Sequence, residues 1–178
     1  AFTKAWLEKK YKDCWLIMDR EESASDNGYA LYKYLLEKHP EINAYFAISR
    51  DSEDVAKLQE EGFRLVFVGS NEHKISIRNS KKLFYSYFTF EYSNEEAQRI
   101  FLGHGITKDD LPNPGLRSSD YFITAIDREQ DYLSERTDLR AIKVGLPRYE
   151  RLVEKLKYSE EIKDSIIIAP TWRSWLYL

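Results

Sequence analysis

The 178-residue sequence has one cysteine, one methionine, five prolines and seven glycines. A single cysteine excludes an internal disulfide framework, and Cys14, which opens an apolar run, is expected to be a buried thiol in a reducing cytosol. The low glycine and proline content, with 43% hydrophobic and 32% charged residues, is typical of a folded domain. The length allows one sizeable core.

Several functional classes lack their sequence signals. The net charge of −3 gives no overall basic footprint for nucleic acid. No apolar run approaches the length of a membrane span, and no signal peptide is recognisable. Zinc-type Cys/His spacing, a P-loop and a G-x-G-x-x-G sequence do not occur. We therefore expect no structural metal, no resident cofactor and no nucleic-acid partner.

The sequence does contain a regular alternation of strand-like and helix-like segments. Strands are predicted over residues 14–19, 42–49, 64–69, 83–88, 100–102, 121–126, 141–144 and 165–169. Helices are predicted over residues 2–12, 26–39, 51–61, 70–79 and 147–156. This order predicts an α/β fold with a Rossmann-like, doubly wound parallel sheet.

The segment most typical of a ligand site is Phe101-Leu102-Gly103-His104-Gly105. A strand ends here in a turn, and ligands of α/β sheets bind beyond the carboxyl ends of strands. His104 can gain or lose a proton near neutral pH, which suits a general base. The alternative is a histidine that only forms a hydrogen bond across the turn. His39, before a proline, and His73, in a helix that looks exposed, are predicted to be structural.

Four further side chains could serve a phosphate or polyol. Lys108 could neutralise a phosphate, and Asp109 could orient His104 or an acceptor hydroxyl, unless both belong to a solvated loop. Asp26 and Asn27 open a helix, where an aspartate is a common cap but the pair could also bind polyol hydroxyls.

Arg20 lies near the end of the first strand. It could reach an acceptor phosphate, or it could form an ion pair with Glu21, Glu22 or Asp26. Residues 2–12 carry lysines beside Phe2, Trp6 and Tyr11. That helix could pack on its own domain or contact an anionic membrane.

Several ordered motifs together resemble the CDP-glycerol glycerophosphotransferase family, which makes teichoic acids and capsule polymers. The motifs are Asp19-Arg20, Asp26-Asn27-Gly28, His104-Gly105-Ile106-Thr107-Lys108-Asp109, Gly145-Leu146-Pro147-Arg148 and Ile168-Ala169-Pro170-Thr171-Trp172-Arg173. The resemblance runs from about Cys14 to Arg173. Gly103 departs from it, since a larger polar residue such as glutamine is expected there.

The resemblance implies the N-terminal, acceptor-side half of a two-domain GT-B architecture. The charged stretch 157–164 suggests a boundary, with residues 1–160 as the acceptor domain and 161–178 as the start of a donor domain. The first residue is Ala1, and the chain is expected to be a piece of a longer protein.

The implied reaction transfers glycerol phosphate from CDP-glycerol, or ribitol phosphate from CDP-ribitol, to a lipid-linked polymer with release of CMP. His104 would be the base, and Arg148 and Arg173 would contact phosphates. The alternative for Arg148 is an ion pair with a neighbouring glutamate. The enzyme is expected in the cytoplasm, peripheral to the inner face of the cell membrane. Two alternatives remain: a GT-B glycosyltransferase that uses a sugar nucleotide, and an acceptor-binding domain without turnover.

Overall fold

A computed structural model of the chain describes residues 3–87, 94–103, 119–136 and 140–156. The strands are β1 (Cys14–Met18), β2 (Ala44–Ile48), β3 (Leu65–Phe67), β4 (Ser80–Tyr85), β5 (Gln98–Phe101), β6 (Tyr121–Thr124) and β7 (Arg140–Lys143). The helices are α1 (Lys4–Lys10), α2 (Asn27–Lys38), α3 (Val55–Glu60), α4 (Asn71–Asn79), α5 (Asp127–Arg136) and α6 (Tyr149–Leu156). Seven predicted strands are confirmed with small shifts of their ends. The eighth, over 165–169, and the proposed boundary at 160 lie outside the described residues.

The seven strands form one parallel sheet in the order β3-β2-β1-β4-β5-β6-β7. Strands β2 and β3 follow β1 on one side of the sheet, and β4 to β7 extend from β1 on the other side. The strand order therefore reverses between β1 and β4, and the crevice at such a switch point is where open α/β sheets bind ligands. The predicted α/β, Rossmann-like class is confirmed.

Two apolar clusters cover the two faces of the sheet. One packs α1, α4 and α5 against the strands through residues that include Leu7, Ile77, Leu83, Phe101 and Leu133. The other packs α2 and α3 through a second set that includes Ile17, Tyr32, Phe46, Leu58 and Phe63. The rings of Tyr32 and Phe63 stack with centroids 4.4 Å apart. Among the described residues, five of the 13 tyrosines in the sequence, Tyr32 included, are buried in this core, which fixes the strand ends that carry the site.

Three details differ from the sequence prediction. Helix α5 was not predicted, because Asp127–Arg136 is strongly polar and Leu133 is its main buried apolar residue. Helix α3 begins after Asp54 rather than at Asp51 or Ser52. The Ser52 hydroxyl instead accepts a hydrogen bond from the Asp54 N–H, 3.2 Å away, in the turn before the helix.

His73 is the third difference, because it is buried rather than exposed. It follows the Ser70 cap of α4, and its Nδ1 accepts a hydrogen bond from the Gly69 N–H at 3.2 Å. Ile75 and Ile77 are buried on the same helix, which belongs to the sheet-covering layer rather than to the surface. The structural role predicted for His73 is therefore supported, but its predicted exposure is wrong.

Candidate functional site

The carboxylate of Asp19 lies at the switch point, directly after β1. Its Oδ1 accepts hydrogen bonds from the Gly28 N–H at 2.7 Å and from the Ser86 hydroxyl at 2.8 Å. Its Oδ2 accepts from the N–H groups of Asp26 at 2.9 Å and Tyr29 at 3.1 Å. Ser86 directly follows β4, so one carboxylate joins the ends of both strands at the switch point to the start of α2.

Burial raises the pKa of Asp19 above its ordinary value, and its hydrogen-bond donors oppose that rise. The side chain is 1% exposed, and both oxygens are already engaged by donors. Asp19 is therefore a scaffold group rather than a ligand. In the sequence motifs above, Asp19 appears only as part of Asp19-Arg20, with no role of its own. The available signal was an aspartate that ends an apolar strand just before Asp26-Asn27-Gly28.

Gly28 is required by this close packing. A Cβ on Gly28 would lie 2.6 Å from Asp19 Oδ1 and 2.7 Å from the Met18 carbonyl oxygen. A Cβ essentially never lies this close to an oxygen, so a side chain at this position would push α2 away from β1. The glycine lets the first turn of α2 rest directly on the end of the strand.

Asp26 caps α2, as one of the two sequence alternatives predicted. Its Oδ1 accepts from the Asn27 N–H at 2.9 Å and also from Arg148 Nη1 at 2.7 Å. Arg148 thus pairs with Asp26 rather than with a neighbouring glutamate, and Asp26 pairs with Arg148 rather than with Arg20. The ion pair connects the start of α2 to the turn between β7 and α6.

Asn27 lies beneath this pair and is fully buried. Its Nδ2 donates to the carbonyl oxygens of Gly103 at 2.9 Å and Leu102 at 3.4 Å, and its Oδ1 accepts from the Arg148 N–H at 3.1 Å. The structure therefore brings Asp26, Asn27 and Arg148 together with the residue that precedes His104. The predicted site residues that lie outside the described part of the chain are His104, Lys108, Asp109 and Arg173.

Arg20 is exposed at the same edge of the sheet. Its guanidinium carbon lies 4.4 Å from the ring centroid of Tyr87, which follows β4 and is itself exposed. This cation–π contact presents a positive charge beside an aromatic face. Sequence reasoning missed Tyr87, because nothing in the local pattern shows that it faces Arg20.

The described part of this edge carries two cationic side chains, Arg20 and Arg148. The N–H groups of residues 26–29 at the start of α2 are already bound by the carboxylates of Asp19 and Asp26, so an anion would be met by the arginines rather than by the helix N-terminus. Within the described residues, no group of three histidine, cysteine, aspartate or glutamate side chains is placed to hold a metal ion. Over the same residues, no helix has the length and apolar character needed to cross a membrane.

Comparison with known proteins adds an independent line of evidence. A family model described as CDP-Glycerol:Poly(glycerophosphate) glycerophosphotransferase matches residues 1–178. The Minor teichoic acid biosynthesis protein GgaB of Bacillus subtilis (strain 168) is 29% identical over 197 residues. That alignment covers 94% of this chain and 20% of GgaB.

Solved structures of the Wall Teichoic Acid Polymerase TagF share the fold. One is 17% identical with a TM-score of 0.63, and the match covers 94% of this chain and 49% of the TagF chain. Another, a TagF variant soaked with CDPG, is 14% identical with a TM-score of 0.61 and matching coverages of 94% and 50%. The chain therefore spans about half the length of these TagF chains.

Proposed function

The chain belongs to the CDP-glycerol:poly(glycerophosphate) glycerophosphotransferase family, and we propose that it forms the acceptor-side part of an enzyme that transfers glycerol phosphate from CDP-glycerol. The acceptor is the terminal hydroxyl of a lipid-linked poly(polyol phosphate), and CMP is released. The product is a teichoic acid or a capsule polymer. CDP-ribitol is the alternative donor within the same chemistry.

One observation carries this proposal. In a chain that the family model matches from end to end, Asp26, Asn27 and Arg148 meet the residue before His104 at the sheet's carboxyl edge. Three separate sequence motifs suggested these residues, and no local pattern required them to meet. Their convergence supports a shared site at the switch point, where α/β sheets bind ligands.

The proposed chemistry is an in-line displacement at the β-phosphorus of the donor. The acceptor oxygen forms a new bond to that phosphorus while the bond to the bridging oxygen breaks, so that CMP leaves with the electron pair. His104 takes the proton of the attacking hydroxyl. Positively charged side chains offset the charge that the phosphate oxygens carry in the transition state.

We assign that electrostatic role to Arg20, Lys108, Arg148 and Arg173, with Asp109 as the group that orients His104 or the acceptor hydroxyl. The exposed guanidinium of Arg20 beside Tyr87 supports its part, since a polyol phosphate offers both an anion for the cation and a carbon chain for the ring. Asp26 contributes to acceptor binding indirectly, because its carboxylate orients the guanidinium of Arg148. We propose no resident cofactor for this step.

We further propose a two-domain GT-B enzyme whose donor side lies outside residues 1–160. The coverage of about half of each TagF chain supports this division. The same coverage supports a second candidate function, in which residues 1–178 by themselves bind the acceptor without catalysing transfer. The enzyme is proposed to work at the inner face of the cytoplasmic membrane, because a lipid-linked acceptor would be held there.

The test is CMP release from CDP-glycerol by the intact protein with a glycerol-phosphate-primed acceptor. We expect His104→Ala to abolish release, whereas His39→Ala, an exposed histidine paired with Glu41, leaves the rate unchanged. Equal rates for His104→Ala and the parent protein would remove the base assignment. Release from a sugar nucleotide, but from neither CDP-glycerol nor CDP-ribitol, would replace the proposal with a glycosyltransferase.

A further inference from the structure

We propose that Asn27 is a positioning residue that fixes the peptide bond between Gly103 and His104. The oxygen that accepts from Asn27 Nδ2 at 2.9 Å belongs to Gly103, and the carbonyl carbon that carries it is bonded to the nitrogen of His104. Asn27 therefore restrains the carbonyl group that directly precedes His104 in the chain. The inference rests on the proposed function of His104 as the base.

The amide of Asn27 suits this position better than other side chains of its size. Its NH₂ group faces the carbonyl oxygens of Leu102 and Gly103, while its oxygen faces the N–H of Arg148. An aspartate here would place a carboxylate oxygen, which can only accept, against the carbonyl oxygens of Leu102 and Gly103. A leucine would leave these buried carbonyls and the Arg148 N–H without hydrogen-bond partners. Only an amide of this length supplies donors on one side and an acceptor on the other.

Both ends of the contact are held by other parts of the fold. Asn27 is the first residue of α2, and the neighbouring N–H groups of Asp26 and Gly28 are bound by the buried Asp19 carboxylate. Gly103 has φ +66°, a left-handed conformation that favours glycine. The Leu102 N–H donates to the Tyr85 carbonyl oxygen at 2.9 Å, so the backbone just before Gly103 is anchored to β4. A side chain fixed at its base and a backbone anchored one residue earlier define the position of the Gly103 carbonyl.

The same amide also sets the spacing between two parts of the site. Through its oxygen it holds the backbone of Arg148, whose guanidinium reaches Asp26. One side chain therefore connects the backbone of Gly103 to the backbone of Arg148, the arginine proposed to meet a phosphate. A base and a phosphate-binding cation must keep a fixed separation for in-line transfer, and a misplacement of 1 Å can cost about 100-fold in rate.

The experiment compares Asn27→Asp with Asn43→Asp in the intact protein. Asn43 has a similar hydrogen-bond pattern far from the site, because its Nδ2 donates to the carbonyl oxygens of Lys10 and Lys12 and its Oδ1 accepts from Arg64. Both substitutions keep the shape of the side chain, add one negative charge and remove donors to two backbone carbonyls. Because Asn43 is only partly buried and faces Arg64, whereas Asn27 is fully buried, the free energy of unfolding is measured for both variants, and exchange of residues 100–108 is compared with that of peptides from β1 and β2 in the same variant.

Two quantities are measured, and the first, hydrogen–deuterium exchange, does not require the protein to be enzymatically active. Hydrogen–deuterium exchange of peptides that cover residues 100–108 is expected to become about five- to tenfold faster in Asn27→Asp and to stay unchanged in Asn43→Asp. In the CMP-release assay, Asn27→Asp is expected to lower kcat by about 10- to 100-fold and to change KM for CDP-glycerol by less than about threefold. Asn43→Asp should keep both constants.

Unchanged exchange at residues 100–108 would overturn the proposal, as would faster exchange with an unaltered kcat. If the parent protein releases no CMP, the proposed function fails, but the exchange measurement still tests whether Asn27 restrains the Gly103–His104 bond. If Asn27→Asp does not fold by circular dichroism, the smaller and uncharged Asn27→Ser takes its place in both measurements.

Discussion

The guanidinium of Arg148 lies 2.7 Å from the carboxylate of Asp26, although 122 residues separate them in the sequence. The pair joins the cap of α2 to the turn before α6, and both side chains are only partly exposed. The same carboxylate oxygen caps the helix, so the arginine is oriented by a group that cannot rotate freely. A cation held this way can meet a ligand without losing much conformational freedom on binding.

A double-mutant cycle on Asp26→Ala and Arg148→Ala tests how strongly this ion pair stabilises the fold. We expect a coupling free energy of about 1 kcal/mol in urea unfolding, because the pair is partly shielded from water, whereas the lost helix cap of Asp26→Ala cancels in the cycle. The control is the exposed pair Lys4–Glu8 on α1, for which coupling of about 0.3 kcal/mol or less is expected. Equal coupling for the two pairs would contradict the fixed geometry.

Gly28→Ala is expected to destabilise the protein by about 3 kcal/mol, because the new methyl group would overlap Asp19 Oδ1 and the Met18 carbonyl. The matched substitution is Gly62→Ala, at a positive φ with open space around the added Cβ. That change should cost about 1 kcal/mol through backbone strain alone. Denaturant midpoints of the two variants measure the difference. A smaller loss for Gly28→Ala than for Gly62→Ala would show that α2 can shift away from β1.

Sequence reasoning predicted the strands and the parallel, doubly wound class of the sheet because the strands are short apolar runs with clear boundaries. Cys14–Met18 and Ala44–Ile48 are almost wholly buried, which is why their composition alone identified them. Helix α5 escaped prediction because tertiary contact through Leu133, rather than an apolar stripe, holds a polar segment against the sheet.

The candidate site was predictable only in part. Asp26, Asn27 and Arg148 could be proposed from their positions at helix starts, since such positions recur at the carboxyl edge of parallel sheets. Which of them face a ligand depended on long-range partners that no local pattern encodes. The side chain of Asn27 points into the protein and donates to the carbonyl of Gly103, and the carboxylate of Asp19 already accepts four hydrogen bonds.

Thr124, the last residue of β6, offers a test of a different kind. Its hydroxyl oxygen is buried and has no hydrogen-bond partner in the described part of the chain. Thr124→Val keeps the branched shape and removes the unsatisfied group, so we expect stability to rise by about 1 kcal/mol. Thermal unfolding measures it. A loss of stability would mean that the hydroxyl is satisfied in solution, for instance by water.

Cys14, the first residue of β1, predicts how stability depends on pH. Its thiol is fully buried and donates to the carbonyl of Ser76, and burial raises its pKa to about 12. An exposed thiol in the unfolded chain titrates near its ordinary value of 9.0. Between these two values the unfolded state loses a proton that the folded state keeps, so stability falls as pH rises.

For this one group the loss is about 1.4 kcal/mol at pH 10 relative to pH 7. Tyr29, whose pKa is also raised to about 12, changes stability in the same direction, and a comparison with Cys14→Ala therefore isolates the thiol. The free energy of urea unfolding should fall between pH 7 and pH 10 by about 1.4 kcal/mol more in the parent protein than in Cys14→Ala. Parallel pH dependences would mean that the thiol ionises within the folded protein, as would rapid alkylation of Cys14 by iodoacetamide at pH 8 under native conditions.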